Sequence, residues 1–125
     1  MPQLLLVMIG GAIGAGLRFE VGRLALRQLG PAFPWGTLVV NLVGGLLMGA
    51  LAAMIVDARA SQAGWLLLGT GVLGGFTTFS AFSLDLFEML GRGELAPAFG
   101  YLLLSVVGAL LLLALGFLAA RWATA

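Results

Sequence analysis

Three stretches without a single charged side chain, residues 35–56, 63–84 and 95–120, constrain this chain more than any motif in it. At a helical rise of about 1.5 Å per residue, each is long enough to cross a hydrocarbon layer of about 30 Å. Residues 1–17 are also free of side-chain charge, and Arg18 arrives before a full crossing is complete. The pattern predicts one all-α integral membrane domain over residues 1–125, with spans at 3–26, 35–56, 63–90 and 95–122. A chain that is 62% hydrophobic and 9% charged, with mean hydropathy +1.15, has the lipid bilayer as its first partner.

Composition also removes whole classes of function. A net charge of +1, with no lysine, leaves no basic face for a nucleic acid. With neither cysteine nor histidine, thiol chemistry and the usual transition-metal ligands are absent, and backbone carbonyls and side-chain oxygens are the available donors. No nucleophile is paired with a base, so the chain does not read as an enzyme. Asp85 and Glu88 read as the solvated end of the third span.

In the first span, Gly10-x-x-x-Gly14 has the spacing that lets two membrane helices approach closely. The segment carries no charged region ahead of it and is expected to remain as a span. Arg18 lies at the membrane edge or within it, either snorkelling to the interface or drawing anions to a vestibule. Gly30-Pro31-Ala32-Phe33-Pro34 stops the helix, and Trp35 marks an interface. The second span has one strongly polar side chain, Asn41, followed by Gly45-x-x-x-Gly49. Asn41 reads equally well as hydrogen-bond glue between helices and as an amide donor facing a pore. In the fourth span Tyr101 and Ser105, four apart, share a face.

Four spans put Arg59 and Arg121 on one side of the membrane and Arg23, Arg27 and Arg92 on the other. So slight a bias specifies orientation weakly. Four helices alone enclose little, and insertion both ways up followed by assembly as an antiparallel pair is the expectation.

The third span is the centre of the chain. Gly64, Gly69, Gly71, Gly74 and Gly75 are followed by Phe76-Thr77-Thr78-Phe79-Ser80-Ala81-Phe82-Ser83. Backbone so rich in glycine is expected to open the helix near the midplane, where exposed amides and carbonyls are tolerated only against protein, water or an ion. Gly69-x-Gly71-x-x-Gly74 matches the dinucleotide-binding fingerprint in letters alone, since no strand precedes it. Phe79 and Phe82 share a helical face, as core or as electropositive ring edges for a small anion. Ser80 and Ser83 repeat that interval as a hydroxyl strip, unless each bonds back to its own helix.

Taken together, Gly74 to Ser83, Trp35 to Gly44 and Gly11 to Phe19 resemble the Fluc (CrcB) family of fluoride channels, in order and over essentially the whole chain. The resemblance implies an antiparallel, dual-topology homodimer in the plasma membrane of a bacterium, with passive fluoride export that relieves toxicity. It implies a break in the third helix whose carbonyls, on Gly74 and Thr77, hold a structural sodium ion between the subunits. It places Asn41, Phe79 and Phe82 on the fluoride pathway, Arg18 at the vestibule, and Ser80, Ser83, Tyr101 and Ser105 on a hydroxyl track. Two positions depart from the family pattern: Ala81 stands where a threonine is expected and Asp85 where a glutamate is expected.

Two other readings compete. A small dual-topology, proton-coupled exporter of cations or drugs needs an embedded carboxylate in the first span, and Glu20, beyond Arg18, is the only acid there. A non-transporting structural subunit would use Asn41 and the hydroxyls as glue alone.

Overall fold

The computed structural model describes residues 2–125, and every regular element among them is helical. Helix α1 is Pro2–Leu29, α2 is Trp35–Val56, α3 covers residues 62–76, α4 is Phe79–Gly91 and α5 is Leu95–Trp122. Helices α3 and α4 together make one interrupted span, Gln62–Gly91, so four helical segments are long and apolar enough to cross a membrane. The first of them reaches Leu29, a turn beyond the expected 26. Gly30 ends α1 with φ +78°, a backbone region open to glycine, and its N–H returns to the Leu26 carbonyl at 2.9 Å.

Glycine decides which helices touch. At Gly10 an added Cβ would collide with the Leu67 carbonyl, and at Gly14 with the Val72 carbonyl, so α1 lies directly on the backbone of α3. From the other side, a Cβ on Gly71 would come within 2.9 Å of Gly10 Cα. Helices α2 and α5 meet in the same way, Gly49 against the Leu113 carbonyl and Gly116 against that of Leu46. Close backbone approach of this kind replaces the hydrophobic drive that lipid does not supply.

The expectation that the glycines open the third span is corrected by this packing. Residues 65–73 remain helical, in a widened π-helical stretch, and Gly74 to Phe76 complete α3. Glycine there serves contact with α1. The backbone leaves the helix at Thr77 (φ −83°, ψ 155°) and Thr78 (φ −150°, ψ 118°), two β-branched residues suited to extended conformation.

One buried cluster packs α4 against α2 and α5: Leu38 of α2, Phe82 and Met89 of α4, and Ala98 and Tyr101 of α5, with Phe33 and Leu42 packed against it. Outward-facing leucines such as Leu110, Leu111 and Leu118 are exposed, as lipid contact requires. Charged side chains gather near the helix ends: Arg23 pairs with Glu20 at 2.7 Å, Arg59 with Asp57 at 3.2 Å, and Arg121 with Asp57 at 3.5 Å.

Candidate functional site at the break

Had the third span continued as an α-helix, the N–H groups of Thr78, Phe79, Ser80 and Ala81 would have bonded the carbonyls of Gly74, Gly75, Phe76 and Thr77. The break undoes all four bonds. Thr78 N–H goes instead to Asn41 Oδ1 at 2.7 Å, and Asn41 Nδ2 returns a bond to the Thr78 carbonyl at 3.0 Å. Ala81 N–H goes to Thr78 Oγ1 at 3.1 Å, making Thr78 the N-cap of α4. The Gly75 carbonyl accepts Arg18 Nε at 2.9 Å. Thr77 secures the end of α3, its N–H and its hydroxyl both reaching the Leu73 carbonyl at 3.0 Å. Among the described residues, the carbonyls of Gly74, Phe76 and Thr77 and the N–H groups of Phe79 and Ser80 have no protein partner.

Helix α2 supplies the seat. Asn41 and Gly44 are three apart and share a face, and a Cβ at Gly44 would collide with Thr77 Cγ2. The asparagine therefore holds the unwound backbone while the glycine makes room for it. Both of its amide groups are engaged, although its second Nδ2–H stays available.

Beside the break lies a cavity of about 380 Å³ that brings together Asn41, Thr77, Thr78, Phe79, Phe82 and Ser105. Phe82 is 5% exposed and Phe79 77%, with ring centroids 5.6 Å apart. Ser105 is 7% exposed, and its hydroxyl is buried without a hydrogen-bond partner among the described residues. It lies in Leu104–Gly108, a π-helical stretch of α5. π-Bulges of this kind are frequent at functional sites.

The other expected site residues lie outside this cavity. Ser83 Oγ bonds back to the Phe79 carbonyl at 2.9 Å, and Ser80 Oγ lies 3.4 Å from Thr78 Oγ1. Arg18 is drawn onto the broken helix instead of snorkelling away. Tyr101, fully buried among Phe33 and Phe82, donates its hydroxyl to Asp85 Oδ2 at 3.0 Å. Asp85 is therefore half-buried and engaged, which corrects the reading of it as merely the solvated end of a span; Glu88 is exposed. A second cavity, of about 300 Å³, opens between the two loops at that end and is lined in part by Thr37, Asp85, Glu88 and Arg92. Thr78 received no role from the sequence. The available signal is a threonine immediately before Phe79, where an apolar helical run begins, with Thr77, Ser80 and Ser83 as competing hydroxyls beside it.

These features define a multi-pass helical membrane protein with an interrupted span and, at the interruption, a largely apolar cavity carrying a few polar groups, an architecture suited to binding a small ion at membrane depth. The chain belongs to the CrcB family: the family described as CrcB-like protein, Camphor Resistance (CrcB), matches residues 5–117. A relative from Mesorhizobium japonicum, named fluoride-specific ion channel FluC, is 50% identical over 121 residues, covering 97% of this chain and 98% of its own. Relatives of the same name from Rhizobium etli and Sphingopyxis alaskensis are 54% identical over 107 residues and 47% identical over 124 residues. The first covers 85% of this chain and 86% of its own; the second covers 97% of each.

Proposed function

We propose that this protein is a fluoride channel that lets the ion leave the cell passively across the plasma membrane, and so relieves fluoride toxicity. The observation that carries the reading is Ser105, a residue lining the cavity that also holds Asn41, Phe79 and Phe82, whose hydroxyl is buried without a partner among the described residues. An unpaired hydroxyl inside a membrane protein is unfavourable unless something visits it. Fluoride, small and strongly hydrated, needs donors to replace its water. Ser105 Oγ–H, the free Nδ2–H of Asn41 and the electropositive ring edges of Phe79 and Phe82 are donors of the right kind. The open N-terminus of α4 adds a partial positive charge on the same side. No fixed positive charge lines this cavity to hold the anion too tightly.

In this proposal Arg18 stands at the vestibule and Ser80 on the hydroxyl track, which Ser83 and Tyr101 join by exchanging the bonds they give to the Phe79 carbonyl and to Asp85. The protein works as an antiparallel homodimer, in keeping with the weak arginine bias and with Phe79, largely exposed in the single chain. A structural sodium ion joins the two copies at the break. The fit is chemical: the Gly74 and Thr77 carbonyls are hard oxygen donors without a protein partner, and at membrane depth they require a cation or water. When bound, the ion supplies positive charge that compensates these carbonyls.

A proton-coupled exporter is disfavoured because Glu20, the one acid of the first span, is already paired with Arg23. The proposal is tested in bacteria lacking their own fluoride exporter. The wild-type chain restores growth in millimolar-range fluoride and Ser105→Ala restores much less; equal rescue by both would remove Ser105 from the pathway, and rescue by neither would refute the channel.

A further inference from the structure

The break strips protein partners from four carbonyls, and for two of them, Gly74 and Thr77, a side chain holds the natural donor. Thr78 N–H, the natural donor to Gly74, is held by Asn41 Oδ1 at 2.7 Å. Ala81 N–H, the natural donor to Thr77, is held by Thr78 Oγ1 at 3.1 Å. Gly75 is filled from outside by Arg18. We infer that Asn41 and Thr78 are positioning residues for the cation site: each diverts one amide N–H and so uncovers one of the two carbonyls, Gly74 and Thr77, that face the sodium ion. The inference rests on the sodium reading above and goes beyond it, since it assigns the site to two side-chain oxygens that do not touch the ion.

The physical reason is competition for a scarce donor. At membrane depth, where little water relieves an unpaired N–H, an amide released from its side-chain acceptor gains by turning to the carbonyl four residues back. For Ala81 N–H that acceptor is the Thr77 carbonyl, four residues back, and for Thr78 N–H it is the Gly74 carbonyl. Loss of either side-chain acceptor thus lets the helix close over a carbonyl the ion needs. Gly44 supports the same arrangement by admitting the Thr77 methyl against α2.

The idea makes opposite predictions for the two ends of one hydrogen bond. Thr78→Val removes the acceptor and frees the Ala81 N–H, which then covers the Thr77 carbonyl. Ala81→Pro removes the donor, within the first turn of α4 where a missing N–H is tolerated, and leaves that carbonyl bare. The readout is the rise in thermal unfolding temperature of the purified, detergent-solubilised protein as potassium chloride is replaced by sodium chloride.

Wild type and Ala81→Pro are expected to share one sodium midpoint. In Thr78→Val it moves to about tenfold higher sodium, in line with the loss of one capping interaction; Asn41→Leu moves in the same direction, and Thr78→Ser restores the wild-type midpoint. An unchanged midpoint in Thr78→Val, or a shift in Ala81→Pro as large as that expected for Thr78→Val, would overturn the inference while leaving the sodium reading intact. If the wild type gains nothing from sodium over potassium, the sodium reading fails and the inference with it, whatever fluoride flux shows. Should Thr78→Val not fold, Thr78→Ala is measured in its place: a sodium midpoint moved to higher concentration supports the diversion, and a wild-type midpoint contradicts it.

Discussion

Arg18 and Gly75, 57 positions apart in the chain, are joined by a hydrogen bond of 2.9 Å from the arginine Nε to the glycine carbonyl. The contact ties α1 to the C-terminal end of α3, where the helix dipole is negative and a guanidinium is favoured. Arg18→Ala is expected to lower stability by about 2 kcal/mol, the scale of a hydrogen bond to a charged group. Arg18→Lys should recover only part of this, because an ammonium cannot reproduce the planar Nε–H geometry. Thermal unfolding of both variants in detergent checks the order; a fully stable Arg18→Ala would mean that the arginine only snorkels.

Ser105 gives a prediction of unusual sign. Removing a buried hydroxyl that has no partner takes away an unfavourable group, so Ser105→Ala should be as stable as the wild type or more so by up to about 1 kcal/mol. Fluoride flux should nevertheless fall by about tenfold, the equivalent of one lost hydrogen bond of about 1.4 kcal/mol. Flux and unfolding temperature measured on the same preparation separate the two effects. A parallel loss of both would assign Ser105 to the fold.

Tyr101 and Asp85 meet at 3.0 Å beneath Phe33 and Phe82. Tyr101→Phe keeps the aromatic packing and leaves the half-buried carboxylate short of a donor, at a cost of about 1–3 kcal/mol. Tyr101→Phe/Asp85→Asn should be less destabilised than the sum of its parts, because the stranded charge is gone. Strict additivity in this double-mutant cycle would show that the two side chains do not interact.

The backbone contacts between α1 and α3 leave no space at Gly10 or Gly14. Gly14→Ala is expected to destabilise by about 1–3 kcal/mol through overpacking. Gly16→Ala, where an added Cβ meets nothing within 4 Å, should be neutral or slightly stabilising. Matching effects at the two positions would contradict the packing described.

Much of this was legible before the fold was known. The four spans follow from runs without charge, because the bilayer excludes charge over a fixed length and leaves few alternatives. The interruption of the third span is legible too: the resemblance puts its carbonyls on Gly74 and Thr77, beside the observed break at Thr77 and Thr78, whereas glycine content alone does not fix the position. Glycine permits both an open backbone and a close helix contact, and only the presence of α1 against Gly71 and Gly75 shows which one prevails. Of the expected pathway residues, Asn41, Phe79, Phe82 and Ser105 share one cavity, whereas Ser83 is spent on its own helix. The capping role of Thr78 is masked by Thr77, Ser80 and Ser83, because a cap has meaning only where a helix begins and four neighbouring hydroxyls offer that beginning at once. The cross-chain partners of Asn41 and Arg18 were equally out of reach, since each lies on another helix.

The central claim is that this chain conducts fluoride. The most direct measurement is efflux from liposomes containing the purified protein, read with a fluoride electrode in a potassium gradient and started with valinomycin, beside a chloride-loaded control. Rapid, electrogenic fluoride release with little chloride release is expected, reduced in Ser105→Ala. Folded, reconstituted protein that releases no fluoride, or releases chloride as readily, would contradict it.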